Sequence, residues 1–281
     1  MSMDIKRKDA KRGPMVGVFD SGFGGLTVLR ALLSRIPSAR YVYLGDTARL
    51  PYGAKSQATI ARYAVESARF LEERGCDYLV IACNTATALA LEDIRQAVSV
   101  PVLGVIEPGA HAAKRVLAEP GGEVLVLATA ATVQSHAYRE ACATVGLRAT
   151  EMACPLLVPL VEEGWTDHTV TRAVLRIYLS EALAKCAPQA LLLGCTHYPL
   201  IAKAIEETLR ELGSEAVIID SAEATAEAAS VALRSSIGVS EEVNVPIFEC
   251  FATDSVEKFQ RLGSLFLRQP IEHVHHLDLG G

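Results

Sequence analysis

Long apolar runs are missing from this chain of 281 residues. None approaches the ~20 residues that a bilayer-spanning helix needs, so an ordinary helical membrane protein is excluded. The first fourteen residues carry Lys6, Arg7, Lys8, Lys11 and Arg12 with no apolar stretch, and so lack the core of a secretory signal. They read as a mobile tail. The seven cysteines include no Cys-x-x-Cys pair and their number is odd, which argues against a disulfide framework and for a reducing, cytoplasmic setting. No Cys/His spacing matches a zinc site, and His273, His275 and His276 read as a polar tail rather than a metal centre. Basic residues are not in excess: 27 stand against 33 acidic ones, for a net charge of -6. A dedicated nucleic-acid binder would show a basic face. Glycine and proline are too few for a fibrous or disordered chain. The Gly22-Phe23-Gly24-Gly25 turn has neither the GxGxxG order nor a Walker lysine, which leaves a dinucleotide site weakly supported.

What is present is a chain that is half hydrophobic and long enough for two domains of ordinary size. Short apolar, β-rich runs alternate with helical stretches, the pattern of parallel strands joined by helices. Strands are expected at Met15–Phe19, Tyr41–Leu44, Tyr78–Ala82, Val102–Val105, Glu123–Ala128, Arg148–Met152, Ala190–Leu193 and Val217–Asp220. A later strand is expected around Val245–Phe251, followed by a helix from about Ser255 to Leu267. Val170, Val174, Ile177 and Tyr178 form an apolar stripe at helical spacing, with Thr166 or Asp167 placed to cap it.

The chain also resembles itself. Val16-Gly17-Val18-Phe19-Asp20-Ser21 is similar to Val124-Leu125-Val126-Leu127-Ala128-Thr129. Leu79-Val80-Ile81-Ala82-Cys83-Asn84-Thr85 is similar to Leu191-Leu192-Leu193-Gly194-Cys195-Thr196-His197, at a comparable distance downstream. Two similar α/β units related by a pseudo-twofold axis would present two thiols alike. Ligands of open parallel sheets bind beyond the carboxyl ends of the strands, where both cysteines fall. A thiol is a good base only as the thiolate, with an unperturbed pKa of ~8.5, and a helix N-terminus favours that anion. One such cysteine would more often be structural; two in matched positions reverse that weighting. Asp20 is either a helix cap or a polar partner in proton transfer. The Gly45-to-Gly53 loop, ending Pro51-Tyr52-Gly53, can fold over a pocket or lie on the surface. Either carboxylate of Glu162-Glu163 can reach His197 and set its protonation.

These motifs resemble the glutamate racemases, cofactor-independent enzymes that supply D-glutamate for peptidoglycan. The resemblance rests on Gly17-Val18-Phe19-Asp20-Ser21-Gly22-Phe23-Gly24-Gly25-Leu26-Thr27-Val28, on Gly45-Asp46-Thr47-Ala48-Arg49 with Pro51-Tyr52-Gly53, on Cys83-Asn84-Thr85-Ala86 and on Gly194-Cys195-Thr196-His197-Tyr198-Pro199-Leu200. It covers about residues 15 to 200, and Phe248 to Leu267 extends it. It implies two similar, mainly parallel α/β domains, residues 1–107 plus 218–281 and residues 108–217, with the active site at their interface. It implies a two-base mechanism in which Cys83 takes the proton from D-glutamate and Cys195 from L-glutamate. Asp20 would assist Cys83; His197, oriented by Glu162, would assist Cys195. Substrate contacts would come from Asp20, Ser21, Tyr52, Gly53, Asn84, Thr85, Thr129, Thr132, Thr196 and His197. Ala128 stands where many relatives carry glycine. No cofactor, metal, nucleic acid or membrane is implied, and a homodimer is left open. Alternatives are an aspartate or hydantoin racemase, and a non-catalytic two-domain binding protein, which would not need paired thiols. A regulator of a DNA topoisomerase would want a basic surface the chain does not show.

Overall fold

The computed structural model describes residues 13–117, 121–236 and 246–280. Residues 1–12 of the expected tail, and Val245, lie outside the described residues. Ten strands are described: β1 (Met15–Asp20), β2 (Arg40–Gly45), β3 (Tyr78–Ile81), β4 (Val102–Gly104), β5 (Glu123–Ala128), β6 (Arg148–Ala153), β7 (Ala190–Gly194), β8 (Val217–Asp220), β9 (Ile247–Ala252) and β10 (Val274–His276). The described α-helices are α1 (Leu26–Arg35), α2 (Gln57–Glu73), α3 (Asn84–Ala97), α4 (Ile106–Leu117), α5 (Ala130–Ser135), α6 (Ala137–Thr144), α7 (Leu157–Glu162), α8 (Thr169–Leu183), α9 (Ala202–Glu211), α10 (Ser221–Ser236) and α11 (Val256–Leu267).

The strands form two sheets. One runs β10-β9-β2-β1-β3-β4 and the other β6-β5-β7-β8, with every described pairing parallel. Four strands of the first sheet, β2-β1-β3-β4, match the whole of the second, β6-β5-β7-β8, in order along the chain. This is the duplication seen in the sequence, and it sets the end of β3 against the end of β7. The first sheet adds β9 and β10 at the free edge of β2.

Helices on both faces explain why central strands are apolar without interruption. β3 and β7 are buried at every residue. In β1, Val16 and Val18 pack with Leu26, Leu29 and Leu32 of α1. Phe19, pointing the other way, packs with Ile60, Ala64 and Ala68 of α2. Each such aliphatic or aromatic side chain contributes roughly 1.5–3 kcal/mol on burial, so the strand ends that carry the site rest on the most buried part of the fold.

Four expectations are corrected. The boundary expected between residues 217 and 218 falls inside β8, which pairs with β7 in the second sheet. Of the expected stripe on α8, Val174 and Tyr178 pack against the core, but Val170 is 42% and Ile177 65% exposed, and the buried face is Thr171, Leu175, Leu179 and Ala182. That helix is apolar around much of its girth, and the leucines take the core. Its cap is His168, whose Nδ1 accepts from the Val170 N–H at 3.2 Å, because the Asp167 carboxylate is taken by Arg172 at 2.6 Å. Finally, His275 and His276 are not tail: they belong to β10, which pairs with β9, and His275 stacks on Phe251 with ring centroids 4.9 Å apart.

Candidate active site

A cavity of about 480 Å³ opens between the carboxyl ends of the two sheets, and both Cys83 and Cys195 line it. Cys83 and Cys195 are each 5% exposed. The two thiols arrive there by matched routes, one after β3 and one after β7.

Cys83 is the N-cap of α3, with extended backbone (φ -68°, ψ 118°), and its Sγ accepts from the Ala86 N–H at 3.4 Å. The thiol donates to Ser21 Oγ at 3.4 Å. The helix start was expected to favour the thiolate. Burial, reinforced by the nearby Asp20 charge, instead pushes the Cys83 thiol up to about 12. Burial therefore favours the neutral thiol at Cys83.

Asp20 does not line the cavity. It lies behind it at the end of β1, with Oδ2 accepting from the Gly22 N–H at 2.9 Å and Oδ1 without a partner among the described residues. A Cβ on Gly25 would come within 2.5 Å of the Asp20 Cβ and 2.9 Å of that of Ala82. The glycine turn is thus explained by close packing over this carboxylate. Burial raises the Asp20 pKa, against the opposing pull of His197 and three backbone N–H groups.

Cys195 is reached differently in detail. It precedes a 3-10 turn, Tyr198–Ile201, and the α-helix begins only at Ala202. The expected α-helical N-terminus is thus absent beside this sulfur. Histidine takes its place: Cys195 Sγ lies 3.9 Å from His197 Nδ1, and His197 Nε2 lies 3.3 Å from Glu162 Oε1. Burial alone would lower the His197 pKa, but the partners Cys195 and Glu162 outweigh it and push it up to about 10. Burial would likewise raise the Glu162 pKa, yet His197 and Lys258 hold the carboxyl below its ordinary range. Lys258 Nζ stands 3.7 Å from Glu162 Oε2. Glu163 also borders the cavity, but it is Glu162 that meets the histidine.

Of the other expected residues, Ser21, Tyr52, Gly53, Asn84, Thr85, Thr129, Thr196 and His197 line the cavity, and Thr132 does not. Thr132 is fully buried beneath it, with its hydroxyl 3.3 Å from Thr85 and 3.0 Å from Thr129. Thr85 and Thr129 are themselves 3.0 Å apart, so this triad of hydroxyls joins the two sheets' units. Tyr52 turns its hydroxyl away from the cavity and donates to Asp46 at 2.5 Å. That buried carboxylate also takes Arg49 Nε at 2.8 Å and the Thr253 hydroxyl at 2.9 Å. Sequence reasoning missed the apolar wall of Leu50, Cys154, Pro155, Val158 and Pro159, and it missed Lys258. The proline-bounded run before Glu162 was the one available signal for the wall. Nothing near Lys258 distinguishes it from a solvated helical lysine. Among the described residues, no group of three or more His, Cys, Asp or Glu could hold a metal ion.

The arrangement offers two sulfurs at one cavity, Cys83 with the Asp20 carboxylate behind it and Cys195 beside His197, flanked among the described residues by hydroxyls, the Asn84 amide and Lys258. That is the equipment for moving a proton on and off one carbon from two directions. Residues 26–229 match the Asp/Glu/Hydantoin racemase family. The glutamate racemase of Koribacter versatilis is 48% identical, over 97% of this chain and 100% of that protein. The crystal structure of a glutamate racemase isoform from Bacillus anthracis superposes with a TM-score of 0.87 at 36% identity, covering 95% of this chain and 98% of that one. The Francisella tularensis glutamate racemase, solved in complex with D-glutamate, gives 0.86 at 33% identity, covering 96% and 98%.

Proposed function

The chain belongs to the Asp/Glu/hydantoin racemase family, and we propose that it interconverts L- and D-glutamate by a two-base mechanism that uses no cofactor. It is an isomerase, and D-glutamate made by it serves peptidoglycan synthesis in the cytoplasm. The two sheet units act as two domains with the substrate between them.

The observation that carries this reading is the pair of thiols on one cavity, Cys83 after β3 and Cys195 after β7, with His197 and Glu162 ranged behind the second. The α-hydrogen of an amino acid is a very weak acid, so a base must be held close and the developing charge must be met by fixed dipoles. His197, its pKa raised by its partners, stands beside Cys195 with Glu162 behind it, while burial favours the neutral thiol at Cys83. From L-glutamate, the Cys195 thiolate takes the α-proton and the Cys83 thiol delivers its own to the opposite face. The product is D-glutamate, with Cys83 now the thiolate and Cys195 the thiol. Return of D-glutamate runs the same steps backwards. Asp20, behind Cys83, and the Glu162–His197 pair, behind Cys195, trade protons and charge with their sulfurs. Lys258 keeps Glu162 ionised. The substrate carboxylates are met by the hydroxyls and amides of Ser21, Asn84, Thr85, Thr129 and Thr196 and by backbone N–H groups at the helix starts.

The test is a racemisation assay on purified protein without added coenzyme, supplied in turn with L-glutamate, D-glutamate, aspartate and hydantoins. Turnover of glutamate alone is expected. Cys83→Ala and Cys195→Ala should each cut kcat by at least ~10³, in keeping with loss of an obligatory acid–base group, while circular dichroism stays unchanged. Full turnover by either variant would end the two-base reading.

A further inference from the structure

Asn84 is the first residue of α3, directly after Cys83, and it lines the cavity while only 3% exposed. Its side-chain amide is half used. Oδ1 accepts a hydrogen bond of 2.6 Å from the Tyr138 hydroxyl, and Nδ2 has no partner among the described residues. A buried amide donor left unpaired is costly, and it marks a place where a ligand completes the bonding.

We propose that Tyr138 is a positioning residue: it fixes which end of the Asn84 amide the substrate meets, presenting the NH₂ end to a glutamate carboxylate. The proposal rests on the glutamate reading above. Tyr138 comes from α6, in the other sheet's unit, and is fully buried. Its ring sits in a slot shaped by two glycines. A Cβ on Gly109 would come within 3.5 Å of one ring edge, and a Cβ on Gly194 within 3.0 Å of the other. Gly194 immediately precedes Cys195, so the same backbone that delivers one thiol also walls the tyrosine. Burial pushes the phenol pKa far above its ordinary value, so the hydroxyl keeps its proton at any working pH and remains a donor. An asparagine amide facing a held donor turns its oxygen to it and its nitrogen away. The nitrogen, unpaired in a residue that lines the cavity, is then the end left for a ligand, and there an anion is matched and an ammonium group is not. One hydrogen bond thus couples the separation of the two units to the chemistry offered beside Cys83.

The inference is tested by a double-mutant cycle in the full-length protein. Tyr138→Phe keeps the ring and removes the donor. It should raise KM for glutamate roughly tenfold with a much smaller effect on kcat, and leave the circular dichroism spectrum unchanged. Asn84→Ala should raise KM at least as much, and adding Tyr138→Phe to Asn84→Ala should cost nothing further. Multiplicative losses in the double variant, or a Tyr138→Phe enzyme with the parental KM, would overturn the assignment. A second readout does not need turnover. The Asn84 NH₂ signal, identified by its loss in Asn84→Ala, should move in an ¹⁵N spectrum when D-glutamate is added to the parent, and less in Tyr138→Phe. A parent that racemises glutamate with a stationary Asn84 signal would defeat the inference alone. A parent that neither binds nor racemises glutamate would defeat the functional reading instead.

Discussion

His197 shows how one side chain can be read from its surroundings. It is 7% exposed, lies between Cys195 and Glu162, and meets the edge of Phe266 with centroids 5.1 Å apart. A histidine in so dry a place would normally be neutral. The two acidic partners reverse that and raise its pKa to about 10. The linkage follows directly. The folded protein holds this proton more tightly than the unfolded chain, whose histidine titrates near ~6.5. The stabilisation is therefore complete below the unfolded value and is lost as pH rises through about 10. Comparing melting temperatures of the parent and His197→Asn from pH 6 to 10.5 should show the gap narrowing toward the alkaline end. A gap that stays constant, or widens, would mean that His197 is neutral in the fold.

At the scale of elements, the loop between β1 and α1 reaches across to the other unit. Thr27 donates its hydroxyl to the Thr196 carbonyl at 3.1 Å. Gly24 lies closer still: a Cβ there would stand 2.1 Å from Thr196 Oγ1 and 2.5 Å from His197 Nδ1. Contacts that short cannot exist, so Gly24→Ala must push the Thr196–His197 turn away from the loop. It should lower kcat for both enantiomers by roughly 10²-fold, the scale expected for a displacement near 1 Å at a reacting group. The melting temperature should fall only a little, since the core beneath is untouched. Unchanged kcat in Gly24→Ala would show that this contact does not hold the Cys195 side in place. This loop was legible in part. The glycines announced close approach, but only the fold shows that one meets Asp20 and another meets His197. Other elements were less legible for a plain reason. Periodicity cannot rank two apolar stripes on one helix, so the stripe that places Val174 and Tyr178 on the core of α8 also takes in the exposed Val170 and Ile177. A short strand such as β10 carries too few residues to stand out from a polar tail, and only pairing with β9 defines it.

For the whole molecule, the duplicated strand order β2-β1-β3-β4 and β6-β5-β7-β8 was readable because each repeat ends in small and hydrogen-bonding residues at corresponding points. The thiols, His197 and the hydroxyls followed, since strand ends carry the ligands of parallel sheets. Lys258 and Val158 were not readable, because their place depends on how α11 and α7 are brought together by contacts far apart in the chain. The consequence of the duplication is mechanistic. Bases delivered by two separate sheets face the substrate from two directions, one taking a proton as thiolate while the other, as thiol, gives up a different one. A proton removed by one sulfur is therefore not the proton returned by the other. In D₂O, L-glutamate should yield D-glutamate that carries deuterium at the α-carbon from the first turnovers, while the remaining L-glutamate stays protiated. Starting from D-glutamate, the labelling should be the mirror of this. A single base swinging between faces would instead return part of the original protium to the product, and protium in early product well above that from residual solvent hydrogen would rule out two bases. Proton NMR of the α-position, read before a tenth of the substrate has turned over, separates the two cases because back-reaction is then negligible.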